Sequence, residues 1–203
     1  MKEYNIIISG VGGQGVITIA NLIGLAAFKQ GIKARVGEIH GLSQRFGSVF
    51  THVRIGEDVY SSIVPLGRGD LLISLEAIET LRYLKYMKKD GLILMNTLMT
   101  EPFKTISVDP KIADINEIKK MMKSAFDGKI LIINGNELTE KLKNSLLLNT
   151  AIIGIALTIP GFPLKEESIK ASIEEMFDRK YVELNIRALE VGMNYGKEIL
   201  STQ

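Results

Sequence analysis

The chain has 203 residues, of which 46% are hydrophobic and 24% are charged, a balance typical of a folded globular protein rather than a disordered one. Cysteine is absent, which excludes a disulfide framework, a thiol nucleophile and an iron–sulfur cluster held by the chain's own thiolates. The formal net charge is +2, and the lysines are interleaved with acidic residues instead of forming one basic block, so nothing indicates a nucleic-acid partner.

The histidine count and the length of the apolar stretches argue against a zinc protein and a membrane protein. Only His40 and His52 are available, so a zinc site would have to rely on carboxylates. The N-terminal residues lead into an apolar strand without the basic region or cleavage site of a signal peptide. The apolar stretch 146–159 is interrupted by Asn149 and ended by Pro160, and it is shorter than the roughly 20 residues that span a bilayer. We therefore expect a buried helix there, no membrane span and a cytoplasmic location.

The first 40 residues have the pattern of a strand, a glycine-rich turn, a helix and a second strand. Residues 5–9 contain Ile6-Ile7-Ile8, a β-branched run suited to a strand that is buried on both faces. Helical apolar spacing follows over residues 16–29, and a second strand is predicted over 33–39. This order predicts a βαβ unit and a sheet that begins parallel.

The next stretch departs from that alternation. Residues 48–55 and 59–64 both alternate as strands do, and the tight turn Gly56-Glu57-Asp58 lies between them. We predict an antiparallel β-hairpin, inserted after the second strand.

The remaining pattern returns to strands and helices in alternation and ends in helices alone. Strands are predicted over 70–75, 92–96 and 129–133, and helices over 77–88, 112–126, 136–142, 149–159, 165–177 and 180–200. The predicted fold is therefore α/β, with a Rossmann-like, mainly parallel sheet, an inserted β-hairpin and a helical C-terminal region. We interpret residues 1–203 as a single domain, in which 144–203 form the helical part.

The glycine-rich turn is the clearest candidate site. Gly10, Gly12 and Gly15 match G-x-G-x-x-G directly after a strand and before a helix, with Gly13 and Gln14 between them. Such a turn brings backbone N–H groups to the positive end of a helix, where a phosphate can bind. Two other interpretations remain open, because glycines also permit tight strand–helix packing or the close approach of another subunit's backbone.

Polar residues follow the second predicted strand. Glu38 lies about where a dinucleotide fold places the acid that holds a ribose, and in an extended strand it points to the same side as His40. The loop that follows should reach the carboxyl edge of the sheet beside the glycine turn. Arg45 in that loop could bind a phosphate or a partner's carboxylate. Alternatively, His40 is structural and Arg45 forms a surface ion pair.

Two further polar residues end predicted strands at the same edge. Glu76 follows the strand over 70–75 and could act as a general base, although capping of the next helix is the commoner role of an acid there. Asn96 ends the following strand and could line the cleft or serve a turn. No nucleophile elbow, Walker loop or H-E-x-x-H motif occurs, so no residue is assigned as catalytic.

Together these segments resemble the gamma-type domain of the 2-oxoacid:ferredoxin oxidoreductases. The resemblance extends strongly over residues 4–96 and more weakly to the C-terminus. Within the family, residues 38–45 are most similar to the small (beta) subunits of the indolepyruvate-type enzymes, and Phe46 departs from the usual glycine. The segments that carry the resemblance are Gly10-Val11-Gly12-Gly13-Gln14-Gly15-Val16, Glu38-Ile39-His40-Gly41-Leu42-Ser43-Gln44-Arg45, Ser48-Val49, His52-Val53-Arg54-Ile55 and Leu75-Glu76.

The resemblance implies a subunit that supports the oxidative decarboxylation of an aryl 2-oxoacid to its acyl-CoA, with reduction of ferredoxin. It implies a large (alpha) catalytic partner that holds thiamine diphosphate and iron–sulfur clusters, while this chain alone binds no cofactor. Coenzyme A could lie at a shared site, and a homodimer of the isolated chain is left open. The residues expected to face a ligand or partner are Gly10, Gly12, Gly13, Gln14, Gly15, Glu38, His40, Gln44, Arg45, Ser48, Glu76 and Asn96.

Two other functions remain compatible with the sequence. The chain could be a stand-alone oxidoreductase that binds a nicotinamide or flavin dinucleotide through its glycine turn. It could also be a pure assembly module, which holds a large subunit without touching a ligand.

Overall fold

A computed structural model describes residues 2–40, 47–99 and 114–202. Six strands form one sheet in the order β2-β3-β1-β4-β5-β6. The strands are β1 (Tyr4–Val11), β2 (Ala34–His40), β3 (Ser48–Ile55), β4 (Gly69–Ser74), β5 (Met87–Asn96) and β6 (Lys129–Ile133). The helices are α1 (Val16–Lys29), α2 (Ala77–Tyr83), α3 (Ile115–Ala125), α4 (Gly135–Leu142), α5 (Leu148–Leu157), α6 (Glu166–Met176) and α7 (Arg179–Thr202), with short 3₁₀ turns at Leu84–Tyr86 and Ser145–Leu147.

The sheet is mainly parallel, which confirms the predicted α/β class. Strand β1 pairs in parallel with β4, β4 with β5, and β5 with β6. Strand β3 is antiparallel to both of its neighbours, β1 and β2. Consequently β1 and β2 run in the same direction, as the βαβ pattern predicted, but β3 lies between them.

The prediction that residues 59–64 form a hairpin with β3 was wrong. Residues 59–64 form no strand, and β3 pairs with β2, the strand before it. The segment 59–64 is held by side chains instead of a ladder. The Val64 N–H donates to Nδ1 of His52 over 3.0 Å, and Nη1 of Arg54 donates to the carbonyls of Ser61 and Ile63. Val59 and Val64 are buried even though the segment pairs with no strand.

Strand β5 begins earlier than predicted. The helix predicted over 77–88 ends at Tyr83, and β5 begins at Met87 instead of residue 92, so Asp90 and Gly91 lie within the strand. The β4–β5 register shifts between Gly69 and Leu71, which indicates a bulge at this point. A Cβ on Gly91 would lie 3.1 Å from the carbonyl oxygen of Gly69, so the two backbones approach closely there.

Helices cover both faces of the sheet. One core cluster joins the sheet to α1, α5, α6 and α7, and a second, smaller cluster joins the opposite face to α2 and α3. The buried helix predicted over 149–159 corresponds to α5, in which eight residues are buried. Among the described residues, no helix is long and apolar enough to cross a membrane.

Close packing between α5 and α7 fixes the C-terminal helices. A Cβ on Gly192 would lie 1.9 Å from the carbonyl oxygen of Ala151, and one on Gly154 would lie 2.2 Å from that of Leu189. Two helix backbones can approach this closely only where one of them has no side chain. This contact holds α5 in place, and the first turn of α5 lies beside the glycine turn.

Candidate functional site

The glycine turn connects the end of β1 to the start of α1 in a conformation that favours glycine. Gly13 and Gly15 have φ angles of +98° and +82°. At Gly10 the restriction is space, because a Cβ there would lie 2.7 Å from Oε1 of Gln14. Gly10 is therefore required by the lack of space, whereas Gly13 and Gly15 are required by their backbone conformation.

Hydrogen bonding within the turn leaves two amides open. Three backbone N–H groups of the turn have acceptors within the protein. The Val11 N–H donates to Oε1 of Gln14 at 2.8 Å, and the Gly12 N–H donates to the Gly47 carbonyl at 2.9 Å. The Gln14 N–H donates to the Val11 carbonyl at 3.0 Å. Within the described part of the chain, the N–H groups of Gly13 and Gly15 have no protein acceptor. Gly15 is the N-cap residue of α1 and has no side chain that could accept from the first N–H groups of the helix. The positive end of α1 therefore remains accessible to an anion.

A cavity of about 490 Å³ opens beside these amides. It lies between α1, the carboxyl ends of the central strands and the first turn of α5. Its walls are mostly apolar, with a few amide and hydroxyl groups. The lining residues are Gly13, Gln14, Gly15, Thr18, Ile19, Leu22, Leu75, Asn96, Leu98, Ser145, Leu146, Leu148, Asn149, Thr150, Ile153 and Phe177. An apolar cleft with a few polar groups is the usual character of a small-molecule site.

Asn96 contributes a buried amide to this cavity. Its residue is fully buried, and its Oδ1 accepts the Leu98 N–H over 3.2 Å. Its Nδ2 is buried and has no hydrogen-bond partner among the residues that the structure describes. A buried donor left without an acceptor costs free energy, which is why such groups commonly point to a ligand or an ordered water. The structure thus brings Asn96 and the glycine turn together, as the sequence predicted.

Asn149 joins the C-terminal helices to the glycine turn, a role that the sequence analysis missed. Its Nδ2 donates to the carbonyl of Gln14 over 2.8 Å. A Cβ on Gly15 would lie only 2.2 Å from that same nitrogen. The available signal was the amide side chain of Asn149 in the first turn of a mostly apolar helix, which above serves as an argument against a membrane span.

Glu38 lies on β2, away from this cavity, and His40 is the last residue of the same strand. Glu38 is exposed and is not among the residues lining the cavity. Because β3 separates β2 from β1, Glu38 is two strand spacings from β1, about 10 Å. The dinucleotide arrangement, in which the acid follows the strand next to the glycine turn, is therefore not formed.

Gln44, Arg45 and Phe46 lie outside the described residues. The end of their loop is described, however, and it contacts the glycine turn through the Gly47 carbonyl. Ser48 follows, paired across the ladder with Val11 at the end of β1. The expectation that this segment returns beside the glycine turn is confirmed for its final residue.

Ser48 forms a polar cluster with α2. Its Oγ lies within hydrogen-bond distance of a carboxylate oxygen of Glu79, and 2.7 Å from the hydroxyl of Tyr83. Glu79 is buried, and its carboxylate also forms an ion pair with Nε of Arg82 at 3.3 Å. Burial raises the pKa of Tyr83, so its phenol stays protonated. Sequence reasoning did not connect Ser48 to Glu79, because the two are 31 residues apart.

Glu76 is a helix cap. One of its carboxylate oxygens accepts the N–H groups of Ile78 at 2.8 Å and Glu79 at 3.1 Å, at the start of α2. The residue is 2% exposed and is not among those lining the cavity. Of the two roles considered for Glu76, the structure therefore supports capping and not general-base catalysis.

Comparison with known proteins places the chain in a family. The family model described as pyruvate ferredoxin/flavodoxin oxidoreductase matches residues 5–195. A relative from Thermococcus kodakarensis, named indolepyruvate oxidoreductase subunit IorB, is 44% identical over 98% of this chain and 99% of its own length.

Solved structures share the fold. A keto/oxoacid ferredoxin oxidoreductase gamma subunit from Geobacter sulfurreducens has a TM-score of 0.74 at 20% identity, and the match covers 98% of this chain and 99% of that one. The 2-oxoglutarate:ferredoxin oxidoreductase from Magnetococcus marinus, solved with 2-oxoglutarate, coenzyme A and succinyl-CoA bound, has a TM-score of 0.75 at 15% identity. That match covers 98% of this chain but only 32% of the other, so this fold is one part of the larger polypeptide.

These comparisons confirm the resemblance seen in the glycine turn and in residues 38–45. The match extends over nearly the whole chain, including the C-terminal helices, where the sequence resemblance was weak. The chain therefore belongs to the pyruvate ferredoxin/flavodoxin oxidoreductase family.

Proposed function

We propose that this chain is the small subunit of an indolepyruvate-type 2-oxoacid:ferredoxin oxidoreductase. The complex would convert an aryl 2-oxoacid to its acyl-CoA, with loss of carbon dioxide and transfer of two electrons to ferredoxin. Identity of 44% to a subunit named IorB, over nearly the full length of both chains, is the main support. The isolated chain would have no activity.

The redox chemistry would belong to a large partner subunit. This chain contains no cysteine, so its residues do not fit an iron–sulfur cluster, and no electron-transfer step is assigned to it. Thiamine diphosphate, when bound to the partner, would supply the group that adds to the 2-oxoacid and allows decarboxylation. The small subunit would complete and shape the site.

The glycine turn and the cavity are the parts of the chain that would face this shared site. Gly13, Gly15 and the first turn of α1 offer N–H groups at a positive helix end, which suits the phosphates of coenzyme A. The adjoining cavity combines apolar walls with the amides of Asn96 and Asn149, which suits a ligand chain that contains both methylene and amide groups. The open amides beside this cavity are the observation that supports placing coenzyme A here.

The role of this surface would be to bind and orient, without bond-making by its own residues. The N–H groups can neutralise a ligand's negative charge, and the apolar walls exclude water from the ligand they cover. The residues assigned to this surface include no general base, since Glu76 is used as a helix cap. We also assign Gln44 and Arg45 to this surface, as the sequence suggested.

Reconstitution with the large subunit tests this function. We expect Arg45→Ala to lower turnover, or to raise the KM for coenzyme A, by about 10- to 100-fold, the loss typical of a charge-assisted hydrogen bond. Arg187→Ala, which removes an exposed arginine on α7, is the matched control and should leave both unchanged. Turnover and coenzyme A affinity that are unaffected by Arg45→Ala would refute the contact.

The two alternatives predict different outcomes. A stand-alone dinucleotide enzyme would show thermal stabilisation of the purified chain by NAD or FAD, since a ligand at 100 times its Kd adds about 2.7 kcal/mol. A pure assembly module would tolerate every substitution in the glycine turn that preserves assembly. The displaced position of Glu38 disfavours the first alternative.

A further inference from the structure

The glycine turn is connected to the opposite face of the sheet by a short series of hydrogen bonds. Its N–H at Gly12 donates to the carbonyl of Gly47, the residue directly before β3. The next residue, Ser48, is the first of β3, and its side chain contacts α2. Movement of α2 relative to β3 would therefore be transmitted to the glycine turn.

The direction of the hydrogen bonds in this series follows from the chemistry of the groups. A carboxylate only accepts, so Ser48 donates its single hydroxyl hydrogen to Glu79. The Tyr83 hydroxyl, 2.7 Å from Oγ of Ser48, must then be the donor in the second bond. The order is Tyr83 to Ser48 to Glu79, and each side chain fixes the next.

This cluster is rigidly held. The side chain of Glu79 is only 7% exposed, and a buried carboxylate is costly unless its hydrogen bonds are made. The helix that carries both Glu79 and Tyr83 is fixed at its start by the Glu76 cap and by the bond from the Ala77 N–H to the Leu98 carbonyl. The ring of Tyr83 packs against Phe50 of β3 with centroids 4.4 Å apart.

Neither Glu79 nor Tyr83 lines the cavity, so an effect on the site would have to act through Ser48. We propose that Glu79 and Tyr83 are positioning residues, which hold the start of β3 and thereby the Gly12 amide and the glycine turn. The proposal deepens the function given above, because it assigns residues outside the shared site to its geometry.

Amide hydrogen exchange at Gly12, measured by NMR on the full chain, tests the positioning directly. Tyr83→Phe keeps the ring and removes one bond, and it should accelerate Gly12 exchange by about five- to thirty-fold. Ser48→Ala should do the same, and the double variant should exceed Ser48→Ala by no more than twofold. Ser48→Thr restores the hydroxyl and should return exchange to within about twofold of the original rate. Tyr181→Phe, at an exposed tyrosine on α7, is the matched control and should not change it.

Steady-state kinetics of the reconstituted complex provides the second readout. We expect Tyr83→Phe to raise the KM for coenzyme A by a similar factor while kcat stays within twofold. Unchanged Gly12 exchange in both Tyr83→Phe and Ser48→Ala would overturn the positioning role. Faster exchange with an unchanged KM would support that role and count against the proposed contact of the turn with coenzyme A.

Discussion

Asn149 donates its side-chain amide to the carbonyl of Gln14 over 2.8 Å, across 135 residues of sequence. This bond joins the first turn of α5 to the glycine turn after β1. It also brings the Asn149 nitrogen so close to Gly15 that no Cβ fits there. The conformation of the glycine turn therefore depends on the C-terminal helices as well as on its own glycines.

Replacement of Asn149 by Asp should weaken the site through charge. The substitution keeps the shape of the side chain but places a carboxylate against the Gln14 carbonyl and beside the open amides. We expect the KM for coenzyme A in the reconstituted complex to rise by about 10- to 100-fold. Asn116→Asp adds the same charge at an exposed position on α3 and serves as the control. Equal KM values for the two variants would argue against an anion at this turn.

Alanine substitutions should separate backbone strain from steric conflict in the glycine turn. Gly13→Ala meets no neighbouring atom within 4 Å, so its cost is that of a positive φ, about 1–2 kcal/mol. Gly15→Ala has the same strain and a contact with Asn149, so we expect a larger loss, about 2–4 kcal/mol. Urea denaturation of the single variants and of Gly15→Ala/Asn149→Ala measures the coupling. Strict additivity in that cycle would disprove the conflict.

Packing of α7 on α5 should be intolerant of a single methyl group. At Gly192 a Cβ would lie 1.9 Å from the Ala151 carbonyl oxygen, in contact with backbone that cannot move aside easily. Gly192→Ala should therefore destabilise the protein by about 2–3 kcal/mol, although alanine is the better helix former. The thermal unfolding midpoint measures this loss. If the Gly192→Ala variant were as stable as the original chain, the two helices could move apart at this contact without loss of folding free energy.

His52 should make folding stability depend on pH. Burial, with a smaller contribution from Arg54, lowers its pKa from 6.5 to about 4. Its Nδ1 accepts the Val64 N–H, which also favours the neutral ring. Between pH 6.5 and about 4 the unfolded chain binds a proton that the folded chain does not. The free energy of unfolding should therefore fall with decreasing pH, by up to about 1.4 kcal/mol per pH unit.

The His52→Asn variant tests this slope, since the amide oxygen can still accept the Val64 N–H. We expect the variant to lose most of the decline in stability between pH 6.5 and 4. Hydrogen bonds from Arg68 and Arg54 hold the pKa of Glu3 below 4.5, so its contribution is lost only at lower pH. A slope in the variant equal to that of the original chain would assign the decline to other groups.

Much of the fold follows from local sequence patterns. The run Ile6-Ile7-Ile8 predicted a doubly buried strand, and all three side chains are fully buried. The placement of β3 could not be predicted in the same way. Alternation of apolar and polar residues indicates a strand with one buried face, but it does not indicate which strands pair with it. Residues 59–64 also alternate in sequence, yet they make no ladder, although Val59 and Val64 are buried.

The candidate site was predictable where its residues are adjacent in sequence. The strand–glycine–helix pattern correctly predicted the position of the turn. The position of Asn96 at the end of a strand correctly predicted that it lies at the cavity. The contacts of Asn149 with Gln14 and of Ser48 with Glu79 depend on how distant elements pack, and no local pattern records them. Glu38 was placed wrongly for the same reason, because strand order is a property of the whole sheet.

Hydrogen–deuterium exchange of the peptide over residues 10–19, followed by mass spectrometry, tests whether the glycine turn lies at a site shared with the large subunit and coenzyme A. We expect this peptide to gain protection when the complex is reconstituted, and further protection when coenzyme A is added, while the exposed face of α3 remains unchanged. Exchange over residues 10–19 that is the same in the free chain, in the complex and with coenzyme A would show that the turn is not part of a shared site.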